Sequence, residues 1–383
     1  MTIHRFSFPT DIRFGLGARS LLPGVLQEAG VRRPLVVTDK GVSSLPFLAD
    51  LLTDLERAGL SPRTFDGVWG NPVVSQVDEG VAAYRSHAAD SIVGVGGGAA
   101  LDVAKAIGLM ATHDGHLFDY EDEASGTRPI EDRIPWFVAL PTTAGTGSEV
   151  GRSAVIADDE THVKKIIFSP YLLARCVLAD PELTVGLPAS ITAATGLDAL
   201  THNIEAYLAK GYHPICDGIA LEGLRLGAAN LARAVANPTD LDARGAMLMS
   251  SMMGAIAFQK GLGVVHSTAH ALGTVADLHH GLANGVMIDV ALVHNVEAVP
   301  ERFETMALTI GLDDASAAGF LAWLADLKAQ VGIPANLVEA NVDRARLDDL
   351  ASFAFADACH LNNPRPCTRD DFVHIFERAF DGG

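Results

Sequence analysis

The chain has 383 residues, more than one hydrophobic core usually supports, so we expect two domains. Its composition of 49% hydrophobic and 20% charged residues offers ample apolar material for those cores and argues against disorder. The formal net charge of −19 argues against nucleic acid or an anionic membrane as a main partner, because both require a basic surface.

The cysteines and the apolar segments indicate the compartment. Four cysteines with no C-x-x-C pair fit a reduced, cytoplasmic protein better than a disulfide framework. The start, MTIHRFSFPTD, lacks the basic and apolar regions of a signal peptide. The most apolar stretch, GAMLMSSMMGAIAF at residues 245–258, is too short to span a bilayer and predicts a buried helix.

Short β-rich runs alternate with helical runs along the first half. The predicted strands include PLVVTD (34–39), SIVGVGGG (91–98) and WFVALPTT (136–143), and helical patterns follow the first two. Strands that alternate with helices indicate a parallel sheet covered on both faces.

Helical periodicity dominates after about Leu187, where Ser190 is the expected N-cap of the first helix. The sequence therefore predicts an α/β domain over residues 1–186 and an all-helical domain over residues 187–383.

The glycine run Gly96–Gly98, in VGVGGGAALDVAK, stands between a predicted strand and a predicted helix. Backbone N–H groups without a neighbouring Cβ approach a phosphate closely, and a helix N-terminus adds positive potential. An ordinary tight turn is the alternative for this stretch alone. Asp39 ends an earlier strand, where a carboxylate accepts ribose hydroxyls and repels a 2′-phosphate, which favours NAD over NADP. Because Asp39 lies before the glycines in the sequence, the strand order differs from that usual in dinucleotide-binding domains. The loop PTTAGTGSEV (141–150) also suits a polar ligand.

Two i, i+4 pairs in the second half suggest a metal site. Asp198 and His202 lie on one face of a helix, His266 and His270 repeat the spacing, and His280 follows. One carboxylate with several imidazoles suits divalent Fe, Zn, Co or Ni. An i, i+4 Asp–His pair by itself is usually a surface salt link, both pairs in one apolar, weakly charged half favour a shared metal site, and spacing does not decide which histidines bind.

GGGAALDVAK, PTTAGTGSEV, GLDALTHNIEAY and GLGVVHSTAHALG…HHGLANGVM resemble, in order and over nearly the whole chain, the iron-containing (group III) alcohol dehydrogenases. AFQKGLG and CHLNNPR look most like the branch with 4-hydroxybutyrate dehydrogenases. The resemblance implies a Rossmann-like dinucleotide-binding α/β domain, a C-terminal all-helical metal-binding domain, the architecture of dehydroquinate synthase with a cleft between the domains, and a homodimer.

The resemblance also assigns residues to roles. The ion, Fe(II) with zinc as the alternative, is held by Asp198, His202, His266 and His280. His270 matches a histidine that lines the site beside the cofactor, and His279 matches no functional position. Because His270 lies one turn from His266, we expect it to be catalytic as the exit for the substrate proton, with the ribose hydroxyls as the alternative route. The NAD-binding positions are Asp39, Asn71, Gly97, Gly98, Asp102, Thr142, Thr143, Lys164 and Thr184. Phe258 and Cys359 match positions that line the substrate pocket, and the shortened AFQKGLG motif adds Lys260 as a further candidate for the pocket.

The expected function is NAD-dependent, metal-dependent interconversion of a small primary alcohol, including an ω-hydroxy acid such as 4-hydroxybutyrate, and its aldehyde. Lys260 either pairs with a substrate carboxylate in the cleft or is an exposed lysine at a helix end. The alternatives are a metal-independent reductase of the maleylacetate type, a lyase like dehydroquinate synthase that retains its NAD, and a non-catalytic metal-binding protein.

Overall fold

A computed structural model describes Phe8 and residues 10–122 and 124–382. Its strands in chain order are β1 (Asp11–Phe14), β2 (Pro34–Asp39), β3 (Arg63–Val68), β4 (Ser91–Gly96), β5 (Trp136–Pro141), β6 (Ser153–Ala157), β7 (Lys164–Phe168) and β8 (Cys176–Ala179). The helices of the first half are α1 (Leu22–Glu28), α2 (Lys40–Ser43), α3 (Pro46–Arg57), α4 (Val74–His87) and α5 (Gly98–Thr112).

Six of these strands form a parallel sheet in the order β1-β8-β5-β4-β2-β3, and β6 pairs with β7 as an antiparallel ribbon. The chain runs from β2 outward to β3 and then returns to place β4 on the other side of β2. The strand order therefore reverses between β2 and β4, which is where open α/β sheets bind ligands. The expectation of an unusual strand order is confirmed, because the glycine run follows the third strand of this winding rather than the first.

The parallel sheet is buried because its central strands are nearly continuous apolar runs. Val36, Val93, Val95, Val138 and Leu140 are completely buried on these strands. Leucines of α1 and α3 cover one face of the sheet and belong to the same core. The alternation of strands and helices in the first half is confirmed.

The second half is helical. Its helices are α6 (Ala189–Leu208), α7 (Pro214–Ala236), α8 (Leu241–Ala257), α9 (Val264–Ala276), α10 (His280–Leu292), α11 (Pro300–Thr309), α12 (Ala317–Gln330), α13 (Leu347–Ala356) and α14 (Arg369–Asp381). The buried helix expected from the most apolar stretch is α8. The Ser190 N-cap was wrong: α6 begins at Ala189 after Pro188, and no side chain caps it.

The chain forms two compact units. The helical unit contains residues 144–146 and 185–382, and the α/β unit contains the described residues of Phe8–Thr143 and Gly147–Thr184. The functional division of the chain at residues 186 and 187 stays a prediction.

Among the described residues, no single helix is both long and apolar enough to cross a membrane. The bent pair Leu241–Lys260 and Val264–Ala276 reaches that measure only when its two members are counted together.

Candidate active site

The predicted cofactor residues of the α/β unit gather at the carboxyl ends of adjacent strands. Gly96 ends β4 with a φ of 156°, and a Cβ there would lie 3.1 Å from Asp39 Oδ2 at the end of β2. Thr142 N donates to Gly96 O over 3.0 Å, and a Cβ at Gly97 would lie 3.1 Å from the Thr143 side chain. The structure thus places these residues, together with Gly98 at the start of α5, where the strand order reverses.

Helix starts and carboxylates shape this edge of the sheet. Gly97 precedes the first turn of α5, whose N–H groups are suited to an anion. One oxygen of Asp39 accepts from Gly41 N and Val42 N at 2.8 Å each and so caps α2. The other oxygen of Asp39 lies towards Gly96, which places a negative charge beside the glycine run.

Both carboxylate oxygens of Asp102 accept hydrogen bonds from neighbouring groups of the protein. Its oxygens accept from Ser148 Oγ at 2.5 Å and Val155 N at 3.0 Å. The completely buried Lys105 lies 3.5 Å from the same carboxylate and donates to Ser148 O and Ser153 O. This network fastens α5 to the end of the loop at residues 141–150 and to β6. The direct cofactor contact predicted for Asp102 remains a prediction.

The remaining predicted cofactor residues follow other strands of the sheet or lie on the ribbon. Thr184 is buried beyond β8, and its hydroxyl donates to Pro181 O over 2.8 Å. Asn71 lies on the exposed loop after β3, and Lys164 begins β7 half-buried. Their roles towards a cofactor also remain predictions.

Three helices of the second unit bring the four predicted metal ligands together. Asp198 and His202 lie on α6, His266 lies on α9, and His280 is the first residue of α10. Asp198 Oδ1 lies 3.4 Å from Nε2 of His280, 3.8 Å from that of His266 and 3.9 Å from that of His202. One oxygen therefore faces three imidazole nitrogens.

Burial sets the charge state of these four side chains. It lowers the pKa of His202 and of His266 to about 4 and that of His280 to about 3, although the Asp198 carboxylate opposes this effect. Burial alone would raise the pKa of Asp198, but the three imidazoles outweigh it and hold that pKa well below its usual value. At neutral pH the cluster is one carboxylate with three neutral imidazoles, each with a lone pair.

This donor set fits a divalent transition metal. Ligand atoms about 2.1 Å from a tetrahedral cation lie about 3.4 Å from one another. The observed separations of 3.4 to 3.9 Å from Asp198 Oδ1 match that spacing closely, and all four ligand atoms lie within 4.8 Å of one another. Three imidazoles with one carboxylate suit Fe, Co, Ni or Zn better than Mg or Ca.

His270, the predicted catalytic residue, lies beside the cluster without being one of the four. Its ring is stacked on that of His280 with centroids 5.4 Å apart. Its Nδ1 lies 2.7 Å from Asp357 Oδ2. Asp357 Oδ1 accepts from Ser267 Oγ and Cys359 N, so the carboxylate is fixed on both sides. Burial opposes ionisation of Asp357, but its hydrogen-bond partner His270 and the other donors hold its pKa well below the usual value.

Two predicted pocket residues lie near these histidines. The Phe258 ring centroid is 5.2 Å from that of His202. Cys359, His270 and Asp357 offer ligand-type atoms that lie within 4.8 Å of one another. Burial raises the pKa of the Cys359 thiol well above its usual value, so the side chain is a neutral thiol at physiological pH. His279, outside the family pattern, caps α10 by accepting from Leu282 N.

Lys260 requires a correction. Its ammonium is buried, lies 2.5 Å from Asp217 Oδ1 and donates to Tyr207 O over 2.8 Å. Arg302 contacts the same carboxylate and the same carbonyl. Lys260 is therefore neither an exposed lysine at a helix end nor a free cation for a substrate carboxylate, because an internal acid already neutralises it.

Three polar residues around the cluster escaped the sequence analysis. Glu205 approaches His266, Asn284 Nδ2 donates to Asp198 Oδ1 over 2.8 Å, and Asp357 holds His270. Asn284 could have been found from its i, i+4 spacing to His280, and Glu205 from lying two helical turns after Asp198. Asp357 is distant in sequence from every histidine of the cluster and carries no such signal.

Comparisons with known proteins agree with this arrangement. Residues 9–181 match the family model of iron-containing alcohol dehydrogenases, and residues 192–380 match that of the C-terminal region of the same family. A 4-hydroxybutyrate dehydrogenase of Cupriavidus necator is 39% identical over 380 residues, which cover 97% of this chain and 98% of that protein. The chain belongs to the iron-containing alcohol dehydrogenase family. The predictions of family, fold class and enzyme class are confirmed.

Two further relatives show how far the similarity extends. An NAD-dependent methanol dehydrogenase of Bacillus methanolicus is 36% identical over 381 residues, which cover 98% of this chain and 99% of that protein. The crystal structure of a 1,3-propanediol oxidoreductase superposes with a TM-score of 0.93 at 38% identity, covering 98% of this chain and all of the other. As a member of this family, the protein is an oxidoreductase that acts on alcohols.

Proposed function

We propose that this protein interconverts a small primary alcohol and its aldehyde by hydride transfer, with NAD as cofactor and iron at the histidine cluster. The observation that carries the proposal is the single oxygen of Asp198 facing Nε2 of His202, His266 and His280 within 3.9 Å. The methanol and 4-hydroxybutyrate dehydrogenases among the relatives support the substrate type, and the former supports NAD. Zinc fits the same donors, since affinity rises along the first-row series.

NAD would bind at the reversal of strand order in the α/β unit. The N-terminus of α5 offers N–H groups to its diphosphate, and the Asp39 carboxylate accepts ribose hydroxyls and repels a 2′-phosphate. The proposed contacts are Asp39, Asn71, Gly97, Gly98, Asp102, Thr142, Thr143, Lys164 and Thr184. When bound, the nicotinamide supplies the hydride acceptor.

The residues around the cluster would divide the remaining work. A cation held by the four ligands supplies positive charge that lowers the pKa of the substrate hydroxyl. Asp357 would accept a hydrogen bond from the Nδ1–H group of His270, which would leave the lone pair of His270 Nε2 to receive the proton that the alcohol releases. Phe258 and Cys359 line the pocket with an apolar ring and a neutral thiol.

The first candidate substrate follows from the relatives and from the contacts of Lys260. The 4-hydroxybutyrate dehydrogenase relative favours an ω-hydroxy acid, and 4-hydroxybutyrate is our first candidate. Lys260 does not serve as its anchor, because Asp217 neutralises the ammonium. An uncharged alcohol of similar length is therefore the necessary comparison.

The test is a panel of C3–C6 alcohols and ω-hydroxy acids assayed for NADH formation by metal-free protein, with Fe(II) or Zn(II) added back. We expect NADH formation only after metal addition and no activity for His202→Ala with either metal. Full activity after chelation would instead support the metal-independent maleylacetate type. NAD binding without net NADH formation would support the lyase type, and absence of NAD binding the non-catalytic role.

We assign NAD binding to residues 1–186 and metal binding with catalysis to residues 187–383, and we expect a cytoplasmic homodimer. Light scattering on a sizing column tests the oligomeric state, and a monomer at micromolar concentration would contradict it.

A further inference from the structure

Glu205 is a buried acid on α6 whose carboxylate contacts four nitrogen atoms of one short stretch of chain. Its side chain is 1% exposed. Its oxygens lie 3.1 Å from Gly263 N, 2.7 Å from Val265 N and 3.2 Å from His266 N, all of which donate to it. The ring Nδ1 of His266 lies 2.7 Å away. The carboxylate thus contacts both the backbone and the ring of a predicted ligand.

The ring contact selects one form of His266. A neutral imidazole carries its proton on either Nδ1 or Nε2, and a hydrogen bond at one nitrogen decides which. Burial raises the pKa of Glu205 to about 7, and in opposition three backbone N–H groups donate to its oxygens and favour the ionised carboxylate. The ionised carboxylate only accepts, so Nδ1 of His266 carries the proton beside it and Nε2 keeps its lone pair. Nε2 is the atom that lies 3.8 Å from Asp198 Oδ1. The ring therefore presents its free lone pair to the cluster.

The backbone contacts hold the start of α9 in place. The first N–H groups of a helix have no partner within the helix, and negative charge there is stabilising. Glu205 accepts three of these groups, and Asn363 Oδ1 accepts the fourth, Val264 N, over 3.2 Å. A Cβ at Gly263 would lie 2.8 Å from Glu205 Oε1, so a residue without a side chain lets the carboxylate approach.

Glu205 also shares its helix face with two ligands. It lies seven residues after Asp198 and three after His202 on α6, while His266 lies on α9. A movement of α9 relative to α6 would change the distance between His266 and Asp198. The same carboxylate that sets the proton of the ring thus also fixes the helix that carries it.

We propose that Glu205 is a positioning residue of the metal centre, which fixes His266 with Nε2 unprotonated and aligns the start of α9 with α6. The proposal rests on the proposed function, in which Asp198, His202, His266 and His280 hold the metal. Partners of this kind typically change metal affinity about 10–100-fold when they are removed.

The test measures Zn(II) affinity by competition with a chromophoric chelator, without any assay of turnover. Glu205→Gln keeps the shape of the side chain but replaces one acceptor oxygen with a donor. We expect it to weaken Zn(II) binding about 10–100-fold. The matched control is Glu222→Gln on α7, where an exposed glutamate pairs with Arg225, and it should bind as the wild type does. Wild-type affinity in Glu205→Gln would overturn the proposal.

A double-mutant cycle separates positioning from general destabilisation. If Glu205 acts through His266, then Glu205→Gln has no further effect on Zn(II) affinity in a His266→Ala background. Equal weakening in both backgrounds would overturn the proposal. His202→Ala tests the proposed function separately. Unchanged Zn(II) affinity in His202→Ala would contradict the assignment of the metal site. Lost affinity in His202→Ala together with wild-type affinity in Glu205→Gln would contradict only the role of Glu205.

A measurement on the unaltered protein covers the case in which Glu205→Gln does not fold. Ring ¹⁵N shifts of histidine-labelled protein report which nitrogen is protonated, and His266→Ala identifies the signal. We expect His266 of the metal-free protein to carry its proton on Nδ1. A proton on Nε2 would overturn the proposal.

Discussion

Asp357 determines which nitrogen of His270 is available for chemistry. Because Nδ1 is held at 2.7 Å by the carboxylate, Nε2 is the free atom of a ring stacked on His280. Replacement by phenylalanine keeps the stacking but removes the proton acceptor. We expect His270→Phe to lower kcat about 100-fold or more. Metal content measured by mass spectrometry should stay unchanged, since His270 is not one of the four proposed ligands. Unchanged turnover across pH 6–9 would refute its role.

Lys260 should affect stability rather than substrate choice. Lys260→Met leaves the Asp217 carboxylate with Arg302 as its remaining cation, and we expect a loss of about 1–3 kcal/mol in unfolding free energy. The ratio of kcat/KM for 4-hydroxybutyrate to that for 1-butanol should not change. Lys328→Met is the matched control, because Lys328 forms an equally short buried pair with Asp289. A selective loss for 4-hydroxybutyrate would restore Lys260 to the substrate pocket.

At the scale of single residues, local spacing carries only part of the information about the candidate site. Asp198 with His202, and His266 with His270, were recognisable because four residues make about one helical turn. The prediction for Lys260 was wrong because its partner, Asp217, lies 43 residues away in the sequence, and only the fold brings the two side chains together. The same reason hid Asp357, whose contact with His270 joins residues 87 apart.

The close approach of α10 to α6 positions His280. A Cβ at Gly281 would lie 2.6 Å from Ala194 O, a backbone atom that has no flexible end to move away. Gly281→Ala should therefore displace α10 and weaken Zn(II) binding at least 10-fold. Gly218→Ala on α7 is the control, because a Cβ there meets nothing within 4 Å and should be neutral or slightly stabilising. Equal Zn(II) affinity in both variants would contradict this account of the helix contact.

The buried glutamate Glu149, near the end of the loop at residues 141–150, makes the stability of the fold depend on pH. Burial raises the pKa of Glu149 to about 7 from 4.5, although the nearby Lys105 acts in the opposite direction. Below pH 4.5 the group is protonated in both folded and unfolded chains, so stability is lost as the pH rises towards 7 and stays low above it. Each unit of raised pKa corresponds to about 1.4 kcal/mol.

Glu149→Gln should remove that loss. We expect its melting temperature to exceed that of the wild type at pH 8 and the difference to shrink towards pH 5. Glu160→Gln, on an exposed turn, should follow the wild type throughout. Parallel curves for Glu149→Gln and the wild type would show that Glu149 does not titrate in this range.

At the scale of the molecule, the order of elements was predictable and the helix boundaries were less so. The alternation of apolar strands and helices predicts the parallel sheet that the structure has. The position of Asp39 before the glycine run excludes the strand order usual in dinucleotide-binding domains. The start of α6 was misplaced because Ser190 has the chemistry of a cap but lies inside a helix that begins at Ala189. A side-chain preference does not fix a boundary that the preceding proline and tertiary packing determine.

The separation of the proposed sites between the two units predicts separable responses to ligands. The four proposed metal ligands belong to the helical unit, and the nine proposed NAD contacts belong to the α/β unit. A metal at 1,000 times its Kd stabilises the state that binds it by about 4 kcal/mol. We therefore expect Zn(II) to raise the unfolding temperature of metal-free protein in calorimetry, whereas Asp198→Ala should show no such rise.

Titration calorimetry with NAD completes this comparison. The Kd for NAD of metal-free protein and of Asp198→Ala should lie within about threefold of that of the metal-loaded wild type. The hydrogen bonds of Asp39 and of the turn at Gly96 and Gly97 do not involve the histidine cluster. An Asp39→Ala variant should do the reverse, losing NAD affinity while keeping Zn(II) affinity. If chelation abolished NAD binding, the cofactor would depend on the metal, and the assignment of each ligand to its own unit would fail.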